Sequence, residues 1–163
     1  MHLRNAAMAA VLMALTACGP APQIGGTEIY QISARDARQI PFRMEESINA
    51  LRAARGATPL QISPQLTAAA ETHARDMAAQ NRPWHFGSDG SSPIDRVLRT
   101  GYAGQFLGEN ISETFETEGE TLAAWMEDPA TRSVILDPRA RAFGFAWHQE
   151  GNGKIWWTLV TGA

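Results

Sequence analysis

The chain has 163 residues, with 14 basic and 17 acidic side chains and a formal net charge of −3 at pH 7. This mildly acidic balance contains no basic block, which argues against nucleic acid as a partner. The length suits one ordinary domain and not two. Because Cys18 is the single cysteine, no disulfide can form within the chain, and a packed core must hold the fold.

The first residues have the pattern of a bacterial export signal. Arg4 gives a positive start, and the uncharged apolar run from Ala6 to Leu15 is too short to span a bilayer, which takes roughly 20 apolar residues. The run ends in Leu-Thr-Ala before Cys18, which resembles the lipobox after which a cysteine is lipidated. We predict a lipoprotein signal peptide over residues 1–17 and lipidation of Cys18, with simple secretion as the alternative.

A lipidated Cys18 would anchor the protein at the membrane of the cell envelope. Two acyl chains give stable anchoring, at about 0.8 kcal/mol per buried methylene. Gly19, rather than Asp, follows the cysteine, which favours the periplasmic face of the outer membrane if the host has two membranes. Pro, Gly and Ala are frequent after Gly19, so we predict a lipidated N-terminus and flexible tether over 18–40 and a globular domain over 41–163.

Apolar spacing predicts two helices at the start of the domain. The first covers 41–55, where apolar residues recur at helical spacing. The second begins with Ser63 as N-cap and Pro64 as its first residue and ends near Gln80. His73 falls on the apolar stripe of this second helix, so we expect a core histidine that is hydrogen-bonded to a neighbour.

Capping patterns predict three further helices. Their starts are marked by Ser92 with Asp95, by Thr117 with Glu120, and by Asp128 before Pro129. The first of these helices stops at Gly101, and the last is a short turn that ends near Ile135.

The C-terminal part alternates in hydrophobicity with a period of two residues. Two such runs flank a Gly-Asn-Gly turn, which predicts a β-hairpin. Both faces of the second strand are apolar, so helices should cover both sides of a small antiparallel sheet. We therefore predict an α+β fold arranged as an α-β-α sandwich. Trp156 and Trp157 are expected in the packing between layers, with a hydrophobic ligand wall as the lesser alternative, and His148 is expected to be exposed.

Three stretches, in this order, resemble the bacterial branch of the CAP superfamily (cysteine-rich secretory proteins, antigen 5 and pathogenesis-related 1). They are 66–102 with His-Phe-Gly-Ser-Asp-Gly, 108–112 with Gly-Glu-Asn, and 125–160 with Trp-Met-x-x-Pro. Together they cover nearly the whole globular part. The resemblance implies the same sandwich that the periodicity indicates.

CAP domains line a cleft with two histidines and two acidic residues, which bind a divalent metal in some members. Matched position by position, the resemblance makes His85, Glu109 and Asp128 the cleft candidates, whereas Thr131 stands where bacterial members usually carry the second histidine. A divalent transition metal needs at least three good ligands. We therefore expect no cofactor, and a zinc ion held by His85 and Glu109 is the less favoured alternative.

The residues themselves leave open whether Asp128 lies in the cleft, and they indicate that Glu109 needs a partner. Asp128 is explained equally well as the N-cap of the helical turn that begins at Pro129. Glu109 lies in an apolar context, where a buried carboxylate would need a partner. We expect His85 to be that partner.

Common catalytic signatures, such as GxSxG, HExxH and a P-loop, do not occur in the sequence. We expect a monomeric, non-enzymatic binding module of the cell envelope, whose ligand is lipid-like, a peptidoglycan fragment or another envelope protein. The alternative is a hydrolase in which Glu109 acts as general base on water and His85 is its partner or a metal ligand. Thr131 in place of the second histidine counts against this alternative.

Overall fold

The computed structural model describes residues 29–113 and 115–163. The predicted signal peptide, Cys18 and the first part of the predicted tether, up to residue 28, lie outside these residues. Within the two described stretches, no helix has the length and apolar character needed to cross a membrane.

The described chain forms five helices and one four-stranded sheet, which confirms the α+β class. The helices are α1 (Ala34–Ala53), α2 (Pro64–Gln80), α3 (Pro93–Arg99), α4 (Glu118–Glu127) and α5 (Pro129–Ile135). The strands are β1 (Gln61–Ile62), β2 (Phe106–Ser112), β3 (Ala142–Gln149) and β4 (Ile155–Gly162).

Helices α2 to α5 begin where their capping residues predict. The side-chain oxygens of the four N-caps accept backbone N–H groups of the first turn, at Ser63, Ser92, Thr117 and Asp128. Such a cap contributes about 1 kcal/mol by satisfying a donor that the helix leaves free. Because each cap is a local interaction, the sequence pattern was sufficient to locate these helices.

The predicted start of the first helix at Pro41 was wrong. Helix α1 begins at Ala34, and Pro41 lies inside it. The earlier start buries Ile40, which is 1% exposed, and the Ile32 N–H just before the helix donates to the Gln149 side chain at 2.9 Å. The segment from Ile32 to Ile40 is thus held by contacts with distant residues, which its own tether-like sequence does not reveal.

The sheet has the strand order β1-β3-β4-β2. The predicted hairpin is confirmed as β3 and β4, whereas β1 and β2 were not predicted as strands. β1 has two residues and runs parallel to β3. β2 contains the Gly-Glu-Asn stretch and pairs antiparallel with β4, with Glu109 opposite Val160. Glycine, glutamate and asparagine are poor strand formers, so the pairing with β4 is what makes this segment a strand.

Helices cover both faces of the sheet, which confirms the α-β-α sandwich. On one face α2 packs through Leu66 and neighbouring alanines against Ala146 and Val160. This approach depends on Gly144, because a Cβ there would lie 2.0 Å from the backbone carbon of Leu66. Helices α1, α4 and α5 cover the other face.

The two adjacent tryptophans of β4 pack between layers, as predicted, and they do so on opposite faces of the sheet. Trp156 packs against Ala74 and Met77 of α2. Trp157 lies on the other face, where its ring stacks on Phe145 at a centroid distance of 5.5 Å. His148, which we expected to be exposed, is half-buried.

Candidate functional site

The candidate site is built around Glu109 on β2. The alternation of side chains along this strand points Glu109 to the α2 face of the sheet, together with its cross-strand partner Val160. The carboxylate side chain is 2% exposed. A buried carboxylate is costly unless ionic and hydrogen-bonding partners surround it, so its neighbours define what the site can do.

Arg96 on α3 is the charged partner of Glu109. Its Nη2 donates to both carboxylate oxygens, at 2.9 Å to Oε1 and 2.8 Å to Oε2. The Nη1 group donates to the carbonyl of Ser91 at 3.2 Å, and the side chain is 4% exposed. The capping box at Ser92 sets where α3 begins and therefore where Arg96 lies.

His85 is the second partner, as the sequence led us to expect. Its Nδ1 lies 2.9 Å from Oε1 of Glu109. The Nδ1–H group donates to the carboxylate, because an ionised carboxylate can only accept. Half of the His85 side chain is exposed, so the other side of the ring faces solvent.

His73 on α2 completes the group. It is fully buried, its Nε2–H donates to the carbonyl of Trp84 at 2.9 Å, and the same nitrogen lies 3.7 Å from Oε1 of Glu109. Its Nδ1 therefore carries a lone pair, and this atom has no hydrogen-bond partner within the described part of the chain. Burial lowers the pKa of His73, with the Glu109 carboxylate opposing the shift. The prediction of a core histidine bonded to a neighbour is confirmed.

We call these four residues, His73, His85, Arg96 and Glu109, the Glu109 cluster. The sequence reasoning found two of them and missed the roles of Arg96 and of His73 beside the carboxylate. One available signal was the requirement that a buried Glu be paired with a cation. An arginine in the short helix just before β2 was a reasonable candidate for that cation.

Asp128 and Thr131 are engaged elsewhere. The Asp128 carboxylate accepts the Ala130 N–H at 2.8 Å and caps α5. The Thr131 hydroxyl donates to the carbonyl of Trp125 at 2.7 Å. Asn110, the residue after Glu109, donates its side-chain amide to the carbonyl of Thr131 at 2.9 Å. Since neighbouring residues of a strand point to opposite faces, α5 meets the side chain of Asn110 and not that of Glu109.

The residues at this site do not fit a divalent cation. Across residues 29–113 and 115–163, no group of three or more His, Cys, Asp or Glu side chains is arranged to hold a metal ion. Both oxygens of Glu109 already accept from the guanidinium of Arg96, whose positive charge would repel a second cation. The nearest nitrogen of His85 is directed to the same carboxylate.

The cluster is suited to presenting a side chain more than to activating water. Both oxygens of Glu109 already accept hydrogen bonds from the guanidinium of Arg96, so a water molecule would have to compete with Arg96 for the carboxylate. The exposed ring of His85 is held in one orientation by Glu109, and its other ring nitrogen, Nε2, can make a hydrogen bond to a ligand. The arrangement suits His85 to contacting a ligand from a fixed position.

Comparison of the sequence with known proteins identifies one family. The model of the cysteine-rich secretory protein (CAP) family matches residues 45–161. The uncharacterized protein YkwD of Bacillus subtilis is 32% identical over 114 residues, which are 70% of this chain and 44% of that protein. The chain thus spans less than half the length of this relative.

Solved structures agree on the fold. An outer surface protein of Borrelia burgdorferi superposes with a TM-score of 0.69 at 16% identity, over 78% of this chain and 94% of that one. An extracellular protein of Bacillus anthracis that contains an SCP domain gives 0.66 at 20% identity, over 81% and 44%. With the family match over most of its length and the α-β-α sandwich in place, this chain belongs to the cysteine-rich secretory protein (CAP) family.

Proposed function

We propose that this protein is a non-enzymatic binding module of the cell envelope whose ligand contacts the exposed face of His85. The observation that carries the proposal is the double hydrogen bond from Arg96 to Glu109. It occupies the carboxylate that a hydrolase would need as its general base. His85 remains as the group of the cluster that solvent and a ligand can reach, with half of its side chain exposed.

The location outside the cytoplasm is supported by two separate observations. The printed names of two structural neighbours describe an outer surface protein and an extracellular protein. The N-terminal sequence of this chain has an export pattern that ends at Cys18. We propose that lipidated Cys18 anchors the domain to the membrane, and secretion without an anchor is the alternative.

The ligand class can be tested by sedimentation. The purified protein with Cys18→Ala, which removes the anchor, is incubated separately with insoluble peptidoglycan, phospholipid vesicles and washed envelope protein. We expect co-sedimentation with one of the three and loss of it in His85→Ala. His148→Ala is the matched control, because it removes a half-buried histidine outside the cluster.

The hydrolase alternative makes a different prediction. If Glu109 acts as a base on water, cleavage of an ester, peptide or glycan bond should appear with the wild-type protein and disappear in Glu109→Gln. Such turnover, or binding that His85→Ala leaves intact in all three arms, would contradict the proposal.

A further inference from the structure

A polar pocket lies next to the Glu109 cluster and shares Arg96 with it. Its volume is about 230 Å³, and α2, the loop 87–91 and α3 each contribute to its wall. Sites for drug-sized ligands usually measure about 300–1,000 Å³. The pocket is therefore of a size for one small ring.

The charged groups that line the pocket have partners within the protein. Asp76 and Asp89 supply two carboxylates, and Arg96 and Arg99 supply two guanidinium groups. Arg99 donates to Asp89 at 2.6 Å, and hydrogen bonds from Ser91 and Arg99 keep the pKa of Asp89 below its usual range, so this carboxylate stays ionised. Arg96 is paired with Glu109, and Asp76 accepts the Ser88 N–H. A charged ligand would therefore compete with contacts that already exist, so the lining favours a neutral ligand.

Thr72, Ser88 and Ser91 complete the lining. A hydroxyl can both donate and accept. The Thr72 hydroxyl donates to the carbonyl of Ala68 at 2.9 Å, so it can offer a ligand only its acceptor. Arg99 uses one terminal nitrogen for Asp89, which leaves further N–H donors on its guanidinium. Donors and acceptors are thus interleaved around the pocket, which suits a ligand whose own groups are hydroxyls.

The loop that closes the pocket is held in one conformation. The Ser88 N–H donates to Asp76 at 2.7 Å, and the Gly87 N–H donates to the carbonyl of Ser91 at 2.8 Å. A Cβ at Gly87 would lie 2.6 Å from the hydroxyl oxygen of Ser91 and 2.7 Å from a carboxylate oxygen of Asp89, so a larger residue would displace the polar wall. A preorganised wall reduces the ordering cost of binding a small ligand.

We infer that this pocket binds one neutral sugar ring through its hydroxyl groups. The size, the charges that are already paired, and the interleaved donors and acceptors all favour this ligand class. The inference does not depend on the proposed function, because His85 does not line the pocket. Arg96 is shared between the two regions, because it donates to Glu109 and also lines the pocket.

The test compares three sugars that share one ring and differ in charge. Glucose, glucuronate and glucosamine are titrated into the full-length Cys18→Ala protein while amide chemical shifts are followed by NMR. We expect glucose to shift the amides of residues 87–91, and the two charged sugars to bind more weakly. Arg99→Gln should weaken glucose binding by on the order of tenfold, the loss of one hydrogen bond to a charged group.

Arg139→Gln is the matched control, because Arg139 is an exposed arginine that pairs with an aspartate outside the pocket, as Arg99 pairs inside it. Ser88→Phe, which fills the pocket from an exposed position, should abolish the shifts. His85→Ala should leave them unchanged, so failure of the proposed function and failure of this inference give different results. Absence of shifts with glucose, tighter binding of a charged sugar, or equal effects of Arg99→Gln and Arg139→Gln would overturn the inference.

Discussion

One terminal nitrogen of Arg96 contacts both carboxylate oxygens of Glu109, and both side chains are almost completely buried. The pair joins α3 to β2 inside the α2 face of the sandwich. Because both groups are shielded from water, each needs the other as its ionic partner. The stability of the domain is therefore expected to be sensitive to either residue.

Arg96→Ala should destabilise the fold by roughly 3–5 kcal/mol, since it leaves an uncompensated buried carboxylate. Arg99→Ala on the same helix removes an arginine from an exposed ion pair, which solvent screens, so little effect on stability is expected. Urea denaturation of the two variants measures the difference. Similar free energies of unfolding for both variants would show that the buried pair of Arg96 and Glu109 does not stabilise the fold more than the exposed pair does.

The contact between His85 and Glu109 should appear as energetic coupling. Glu109→Gln leaves the buried guanidinium of Arg96 uncompensated and should cost roughly 3–5 kcal/mol, whereas His85→Ala removes one hydrogen-bond partner of Glu109 and should cost on the order of 1–3 kcal/mol. The double variant should cost less than the sum of the two. A double-mutant cycle of urea denaturation measures the coupling, and strict additivity would mean that the two side chains do not interact.

The buried His73 should make stability depend on pH. Because burial lowers its pKa in the folded state, the unfolded chain binds more protons in the range below the ordinary histidine pKa of about 6.5. The contribution of neutral His73 to the free energy of unfolding is thus complete above pH ~6.5, and it is lost as the pH falls toward the lowered pKa of His73. The free energy of unfolding at pH 7.5, 6.5 and 5.5, each roughly one unit apart, measures this loss.

His73→Gln should remove this part of the pH dependence, whereas His148→Gln should keep it. The carboxyl groups whose pKa values are lowered, such as Asp95 and Asp137, stabilise the fold at neutral pH. This stabilisation is lost only as the pH falls toward 4 and below, near their ordinary pKa of about 3.9. Their effect therefore does not overlap with that of His73. An unchanged slope between pH 7.5 and 5.5 in His73→Gln would refute the assignment.

Zinc should bind weakly at neutral pH. Arg96 holds both oxygens of Glu109, and Asp128 caps α5, so three ligands do not converge. Isothermal titration of zinc into the Cys18→Ala protein checks the expectation. Submicromolar affinity that His85→Ala removes would contradict it and would favour a metal-dependent hydrolase.

Cys18 should carry the membrane anchor. After expression with a labelled fatty acid, the wild-type protein should be labelled and sediment with membranes, whereas Cys18→Ala should carry no label. The expectation depends on the Leu-Thr-Ala-Cys sequence after an apolar run too short to span a bilayer. An unlabelled wild-type protein would leave secretion as the explanation of the export signal.

The sequence by itself determined the features that depend on neighbouring residues. The N-caps at Ser63 and Asp128 located their helices because a cap joins a side chain to a backbone group two or three residues away. The alternation on both sides of the Gly-Asn-Gly turn predicted the hairpin, and with it the sandwich. The ordered motifs around His85 and Glu109 indicated the family.

The tertiary structure alone decided the features that depend on distant residues. The strand character of the Gly-Glu-Asn stretch comes from its pairing with β4, and the early start of α1 comes from contacts with Gln149 and the core. Arg96 became the partner of Glu109 only when α3 packed beside β2. Asp128 and Glu109 were separated because a strand alternates its faces and α5 lies against the other one. Pairing across the chain is a property of packing, and no local pattern encodes it.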